Sequence, residues 1–176
     1  MDFKEKLSKT IRIVKDFPIE GIVFRDITPI LKDIDLFNEI ISALADKFKD
    51  YQIDKIAAIE SRGFLFGMPL SVKLNLPFVP IRKKGKLPAE TVQAAYSLEY
   101  GAAVIEMHID ALNKGDRVLI VDDLLATGGT VNSAVELIEK LDAKPVAAAF
   151  IIELLELSGR KSIKNKEVEI SSILQF

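Results

Sequence analysis

Residues 118–130 read VLIVDDLLATGGT, an aliphatic run that ends in two adjacent acids, Asp122 and Asp123, and then turns through Thr127, Gly128, Gly129 and Thr130. Glycines let a backbone approach a ligand closely, and threonine hydroxyls add donors. A helix starting there would present unpaired N–H groups and a partial positive charge, which together make a phosphate cradle. The ordinary alternative is a plain β–α turn with Thr127 or Thr130 as cap. The two acids weigh against it. Carboxylates repel a phosphate placed directly beside them, but they make sense if each faces a different group, such as sugar hydroxyls, a hydrated metal or a cation. Alternation along a strand allows two such roles. Neither G-x-x-x-x-G-K-[ST] nor a G-x-G-x-x-G following a strand occurs in the chain, so two other phosphate loops are unsupported.

Further chemistry-bearing residues fall in two polar stretches. Glu60, Ser61 and Arg62 follow the apolar run of KIAAIE (55–60). Arg82, Lys83, Lys84 and Lys86 cluster at the start of the loop KKGKLPAET (83–91). Such a cluster is usually solvated surface, but it also supplies the local positive field that a chain of net charge −2 would need for a polyanion. His108, the single histidine, sits in an apolar stretch and reads as structural. The absence of cysteine removes disulfides, thiol catalysis and cysteine-based zinc sites. There is no basic surplus of the kind nucleic-acid binders carry, no apolar run near the roughly 18 residues that span a bilayer, and no continuous apolar core at the N-terminus to suggest a signal peptide.

The elements that must position these residues follow from periodicity. Leu36, Phe37, Ile40, Ile41, Leu44 and Phe48 share one face of a helix expected over 33–50, with Asp35 as its cap. Strands are expected at 55–60, 78–82, 117–121 and 145–154, and helices at 64–74 and 129–141. Pro69 is awkward in the first of these unless it lies in the first turn or kinks it. Residues 93–109 suggest two strands meeting near Tyr100–Gly101 in a hairpin. Strands alternating with helices predict an α/β domain, a mainly parallel central sheet covered on both faces. Ligands bind such folds beyond the carboxyl ends of strands, where ESRG and DDLLATGGT both fall.

The aliphatic strand, two acids and ATGGT together resemble the phosphoribosyl-diphosphate (PRPP) motif of the type I phosphoribosyltransferases. Four further segments, DFPIEGIVFRDITPIL (16–31), ESRGFLFG (60–67), VPIRKKGKLPAET (79–91) and YSLEYG (96–101), resemble the adenine-specific family within that group, in its order and at about its spacing. The resemblance implies the type I phosphoribosyltransferase fold in a single domain, 1–176. It would have a base-binding hood at about 10–32, a core at about 33–176 and a flexible β-hairpin lid at about 83–108. The implied reaction joins the phosphoribosyl group of PRPP to N9 of adenine, giving AMP and pyrophosphate in purine salvage. Mg2+ would be held by PRPP or pyrophosphate, with contact to Asp122 or Asp123 at most through water.

By the same resemblance Ala126, Thr127, Gly128, Gly129 and Thr130 hold the 5′-phosphate, while Asp122 and Asp123 contact the ribose hydroxyls. Arg62, Arg82, Lys83 and Tyr100 serve the diphosphate. In relatives the arginine matching Arg82 can serve the neighbouring subunit. Many relatives carry aspartate at the position of Glu60. Phe24 stacks on adenine while Val23 and Arg25 read its edge through the backbone. Glu99, in the lid, is the expected catalytic residue, for proton transfer at the base or to steady the charged ribose. A cytoplasmic homodimer acting on small molecules, with no nucleic acid or membrane partner, is the implied setting. Two alternatives stand beside this: a phosphoribosyltransferase for another base, and a PRPP-sensing regulator. The hood and ESRGFLFG favour adenine. The acidic balance, the lack of spare length and the intact Glu99 and lid disfavour the regulator.

Overall fold

The computed structural model describes residues 2–97 and 102–176. Its contacts divide the chain into two units, Met1–Ala43 and Leu44–Phe176. The first contains helix α1 (Phe3–Thr10) and a two-stranded antiparallel ribbon of β1 (Arg12–Lys15) and β2 (Val23–Asp26). Arg12 is paired opposite Asp26 and Lys15 opposite Val23. A 3-10 turn (Thr28–Lys32) leads into helix α2 (Ile34–Phe48). Asp26 closes the turn by accepting both the N–H and the hydroxyl of Thr28, at 2.8 and 2.9 Å. The cap of α2 is Asp33, not the expected Asp35: Asp33 Oδ1 accepts the Leu36 N–H at 2.9 Å. A capping carboxylate must precede the first turn to reach its orphan N–H groups, and Asp35 already lies inside it.

The second unit is built on a seven-stranded sheet in the order β5-β6-β4-β3-β7-β8-β9. Its strands are β3 (Lys55–Ile59), β4 (Phe78–Lys83), β5 (Thr91–Ser97), β6 (Ala102–His108), β7 (Arg117–Leu125), β8 (Lys144–Glu153) and β9 (Glu169–Gln175). Strands β4, β3, β7, β8 and β9 are parallel, and the β5–β6 hairpin adds antiparallel to β4. The predicted mainly parallel sheet is therefore present, with its hairpin at one edge.

Helix α3 (Arg62–Leu74) joins β3 to β4, and α4 (Gly129–Lys140) joins β7 to β8. They cover opposite faces, as the period of two along the strands requires. Ala57, Ile59, Val118 and Ile120 enter one core with Val131, Ala134 and Ile138 of α4. Ala58 and Val121, of the other parity, lie under Gly67 of α3. Buried on both faces, β3 and β8 carry the near-continuous apolar runs expected of a parallel sheet. Pro69 is accommodated inside α3, neither in its first turn nor at its end. The carbonyl it cannot serve belongs to Leu65, a residue on the helix's exposed side where water can donate instead. β7 runs past the expected end at Val121: Asp122 pairs opposite Phe150, and Leu125 opposite Glu153. The two acids thus sit within a paired strand, not in the loop after it. No helix among the described residues is long and apolar enough to cross a membrane.

Candidate active site

From β3 the chain crosses through α3 to β4 on one side of the sheet. From the adjacent β7 it crosses through α4 to β8 on the other. The loops leaving β3 and β7 therefore part, which opens a crevice at the topological switch point of the sheet. A cavity of about 310 Å³ lies there, and its lining includes Glu60, Ser61 and Arg62 after β3, Lys83 at the end of β4, and Asp122 through Val131. Segments recognised separately in the sequence thus face one another because neighbouring parallel strands end together.

The acids are treated unequally. Asp123 is buried, and its Oδ2 accepts from Arg62 Nε at 2.5 Å. Its N–H donates to Asp122 Oδ1 at 2.8 Å. Burial pushes the Asp122 carboxyl well above its ordinary value, and the Asp123 charge adds to the rise. The Asp123 N–H and the Arg62 charge offset only part of it. Asp122 thus carries a charge that its own chain stabilises poorly. Among the described residues no group of three or more His, Cys, Asp or Glu side chains is placed to hold a metal. The hard oxygens of two adjacent carboxylates beside the cavity are of the kind that suits a magnesium ion held by only one or two protein groups.

Glu60 organises the basic side. Its carboxylate accepts from Arg82 Nε (3.0 Å), Arg82 Nη2 (3.2 Å) and the Lys83 N–H (3.1 Å), and Arg82 holds its carboxyl below the usual range. Arg82 Nη1 also donates to Lys86 O at 3.0 Å. Lys83 lines the cavity and Arg82 does not. In the loop 126–130, Gly128 has a φ of +85°, the left-handed region, and caps α4. A Cβ there would also collide with Ser162 Oγ and would stand 2.7 Å from Gly159 O. Gly129 is less constrained: a Cβ would meet Tyr96 at an ordinary 3.7 Å.

Val23, Phe24 and Arg25 lie on β2 of the first unit, where Val23 is half exposed and Phe24 meets Phe17 edge to face at 5.2 Å. Glu99 and Tyr100 lie outside the described residues. His108 accepts from the Ala89 N–H at 3.4 Å, which suits a structural role. Sequence reasoning missed Tyr96 and Ile105, which line the cavity from the hairpin. The alternation along AAYS signals a strand but does not say what the strand faces. It also passed over GRKSIK (159–164), whose Ser162 reaches the back of the 126–130 loop.

Residues 27–175 match the family described as phosphoribosyl transferase domain. An adenine phosphoribosyltransferase of Carboxydothermus hydrogenoformans is 54% identical over 170 residues, covering 97% of this chain and 99% of that protein. The crystal structure of adenine phosphoribosyltransferase from Thermoanaerobacter pseudethanolicus superposes with a TM-score of 0.94 at 48% identity, covering 98% of this chain and 99% of that one. That of the Saccharomyces cerevisiae enzyme, complexed with an imino-altritol bisphosphate and adenine, has a TM-score of 0.92 at 39% identity, covering 98% of each chain.

Proposed function

The chain belongs to the adenine phosphoribosyltransferase family, and from that premise we propose how its residues divide the transfer of the phosphoribosyl group from PRPP to N9 of adenine, giving AMP and pyrophosphate. The observation that carries the reading is the single crevice gathering Arg62, Lys83, Asp122, Asp123 and the 126–130 loop. Ala126, Thr127, Gly128, Gly129 and Thr130 take the 5′-phosphate on backbone N–H groups at the start of α4, where the helix dipole favours an anion. Asp122 and Asp123 take the ribose hydroxyls. As the bond to pyrophosphate lengthens, positive charge builds on the sugar, and the half-buried Asp122 and buried Asp123 close to it stabilise that charge in a site that excludes water. Lys83, with Ser61 and Arg62 on the facing loop, receives the negative charge that moves onto the pyrophosphate. Mg2+, held by the diphosphate and ribose oxygens with Asp122 or Asp123 reached through water, would neutralise that leaving group.

Phe24 stacks on the adenine and the backbone of Val23 and Arg25 reads its edge. Glu99 takes the N9 proton or steadies the ribose, and Tyr100 covers the diphosphate as the hairpin closes. These parts belong to one domain, 1–176, with the hood at about 10–32, core at about 33–176 and lid at about 83–108. The protein works in the cytoplasm as a homodimer. Leu65, Met68 and Val72 support the dimer: they form an apolar stripe at helical spacing along α3 and are 39%, 48% and 74% exposed. In the dimer Arg82, fixed by Glu60, serves a diphosphate site, its own or its neighbour's. Purified protein with Mg2+ and PRPP is offered adenine, hypoxanthine, guanine or orotate separately. AMP from adenine alone is the expected result, and no nucleotide from any base would sink the reading.

A further inference from the structure

The loop assigned to the 5′-phosphate is backed by a distant segment, Ser158–Ile163, that contributes nothing to the cavity lining. Two loop carbonyls turn toward it. Thr127 O accepts from Ser162 Oγ at 2.5 Å, and the same hydroxyl lies 2.8 Å from Gly159 O. Ala126 O presses on Gly159, where an added Cβ would collide with that oxygen and stand 3.0 Å from the Ala126 carbonyl carbon. Gly159 is thus required for close approach.

In a trans peptide the carbonyl and the following N–H point in opposite directions. Holding Thr127 O on Ser162 therefore turns the Gly128 N–H away from the segment. Holding Ala126 O against Gly159 does the same for the Thr127 N–H. Neither N–H donates to another backbone group among the described residues, and both residues line the cavity. The backing segment is itself anchored on two sides. Asn132 of α4 donates to Ser162 O at 3.0 Å and accepts from the Lys164 N–H at 2.9 Å. Arg160 forks onto Glu153 at 2.9 and 2.6 Å and reaches Ile170 O at 2.6 Å.

We infer that Gly159 and Ser162 are positioning residues for the 5′-phosphate: without touching substrate, they turn the 126–128 peptides so that two N–H groups face it. The inference rests on the phosphate reading of the loop, and its test separates the two. Ribose 5-phosphate carries that phosphate without a diphosphate, and pyrophosphate is the converse. Dissociation constants for both are measured by calorimetry on the wild type, Gly159→Ala, Ser162→Ala and Ser162→Thr. Ribose 5-phosphate should bind about tenfold more weakly to Gly159→Ala and about threefold more weakly to Ser162→Ala, the scale of one hydrogen bond. Pyrophosphate affinity should not change, and Ser162→Thr, which keeps the hydroxyl, should restore binding. Unchanged ribose 5-phosphate affinity in both weakened variants, or equal weakening of both ligands, would overturn the positioning role while leaving the loop assignment intact. Failure of the wild type to bind ribose 5-phosphate would overturn the loop assignment and the inference together. Should Gly159→Ala not fold, the exposed Ser162 decides alone through the ratio of the two constants.

Discussion

Strands β7 and β8 run side by side in parallel, and each carries carboxylates toward its C-terminal end: half-buried Asp122 and buried Asp123 on β7, buried Glu153 on β8. Glu153 is fully served by its own chain. It receives the Arg160 fork, the Ser172 hydroxyl at 2.6 Å and the Gln175 amide at 3.1 Å. These donors, Arg160 first, outweigh burial and lower its pKa to about 2. Asp122 receives one N–H and faces a like charge, and its pKa is raised. The same residue class at neighbouring strand ends thus serves two purposes. A carboxylate satisfied within the fold ties β8, α5 (Gly159–Ser162) and β9 together. One left short of donors in the crevice is where, on the proposed function, a ligand would supply them.

The sharpest break of this contrast is Asp122→Asn combined with Asp123→Asn. Turnover should fall about a thousandfold, the scale of losing transition-state electrostatic partners, far more than thermal stability falls, since relief of the Asp122 charge offsets part of the lost Asp123–Arg62 pair. A fully active double variant would remove the ribose role. Next, Glu153→Gln should cost about 2 kcal/mol in denaturant unfolding, below the range for a fully buried pair because Arg160 is 41% exposed. Its kcat should be retained while the PRPP KM rises a few-fold through the loosened backing segment. A catalytic collapse without loss of stability would reverse the assignment of roles. Asp122→Asn alone should stabilise the free protein at neutral pH, because the raised carboxyl pKa is a cost to the folded state there, and a destabilised variant would show that the fold depends on this charge.

The smallest effect is in pH dependence. Glu153 has a lowered folded pKa, so its contribution to stability is full above its ordinary 4.5 and is lost as pH falls toward about 2. Asp122 has a raised one, so it contributes a cost that is absent below its ordinary 3.8 and grows as pH rises through the folded value. Unfolding free energies measured from pH 2 to 7 should therefore lose acid-limb slope in Glu153→Gln. In Asp122→Asn they should gain stability on the neutral side. Identical slopes in both variants would show that the two acids do not differ.

Much of this was legible because it is local. The alternation of apolar runs with helical periods placed β3, β4, β7, β8, α3 and α4 within a few residues, and ATGGT marked the turn from β7 into α4. The misses also have physical reasons. Asp33 and Asp35 are equivalent in composition, and only the position of the first helical turn chooses between them. The aliphatic run RVLIV ends at Val121, but pairing with β8 extends the strand through Asp122 and Asp123 to Leu125. Gly129 looked as critical as Gly128 in sequence, yet only Gly128 combines a left-handed φ with a crowded Cβ position.

The order of the main strands and helices, the glycine turn at the end of an aliphatic strand and the family resemblance were readable from the chain alone, since each depends on neighbouring residues whose spacing is set by strand and helix periods. Tertiary structure alone decided which charges meet. Arg62 takes Asp123 across 61 residues, Arg82 turns to Glu60 across 22, and Ser162 backs Thr127 across 35. An arginine has many acids to choose from along a chain, and a serine many carbonyls. Only the parallel packing of β3, β4, β7 and β8 brings particular ones within hydrogen-bond reach.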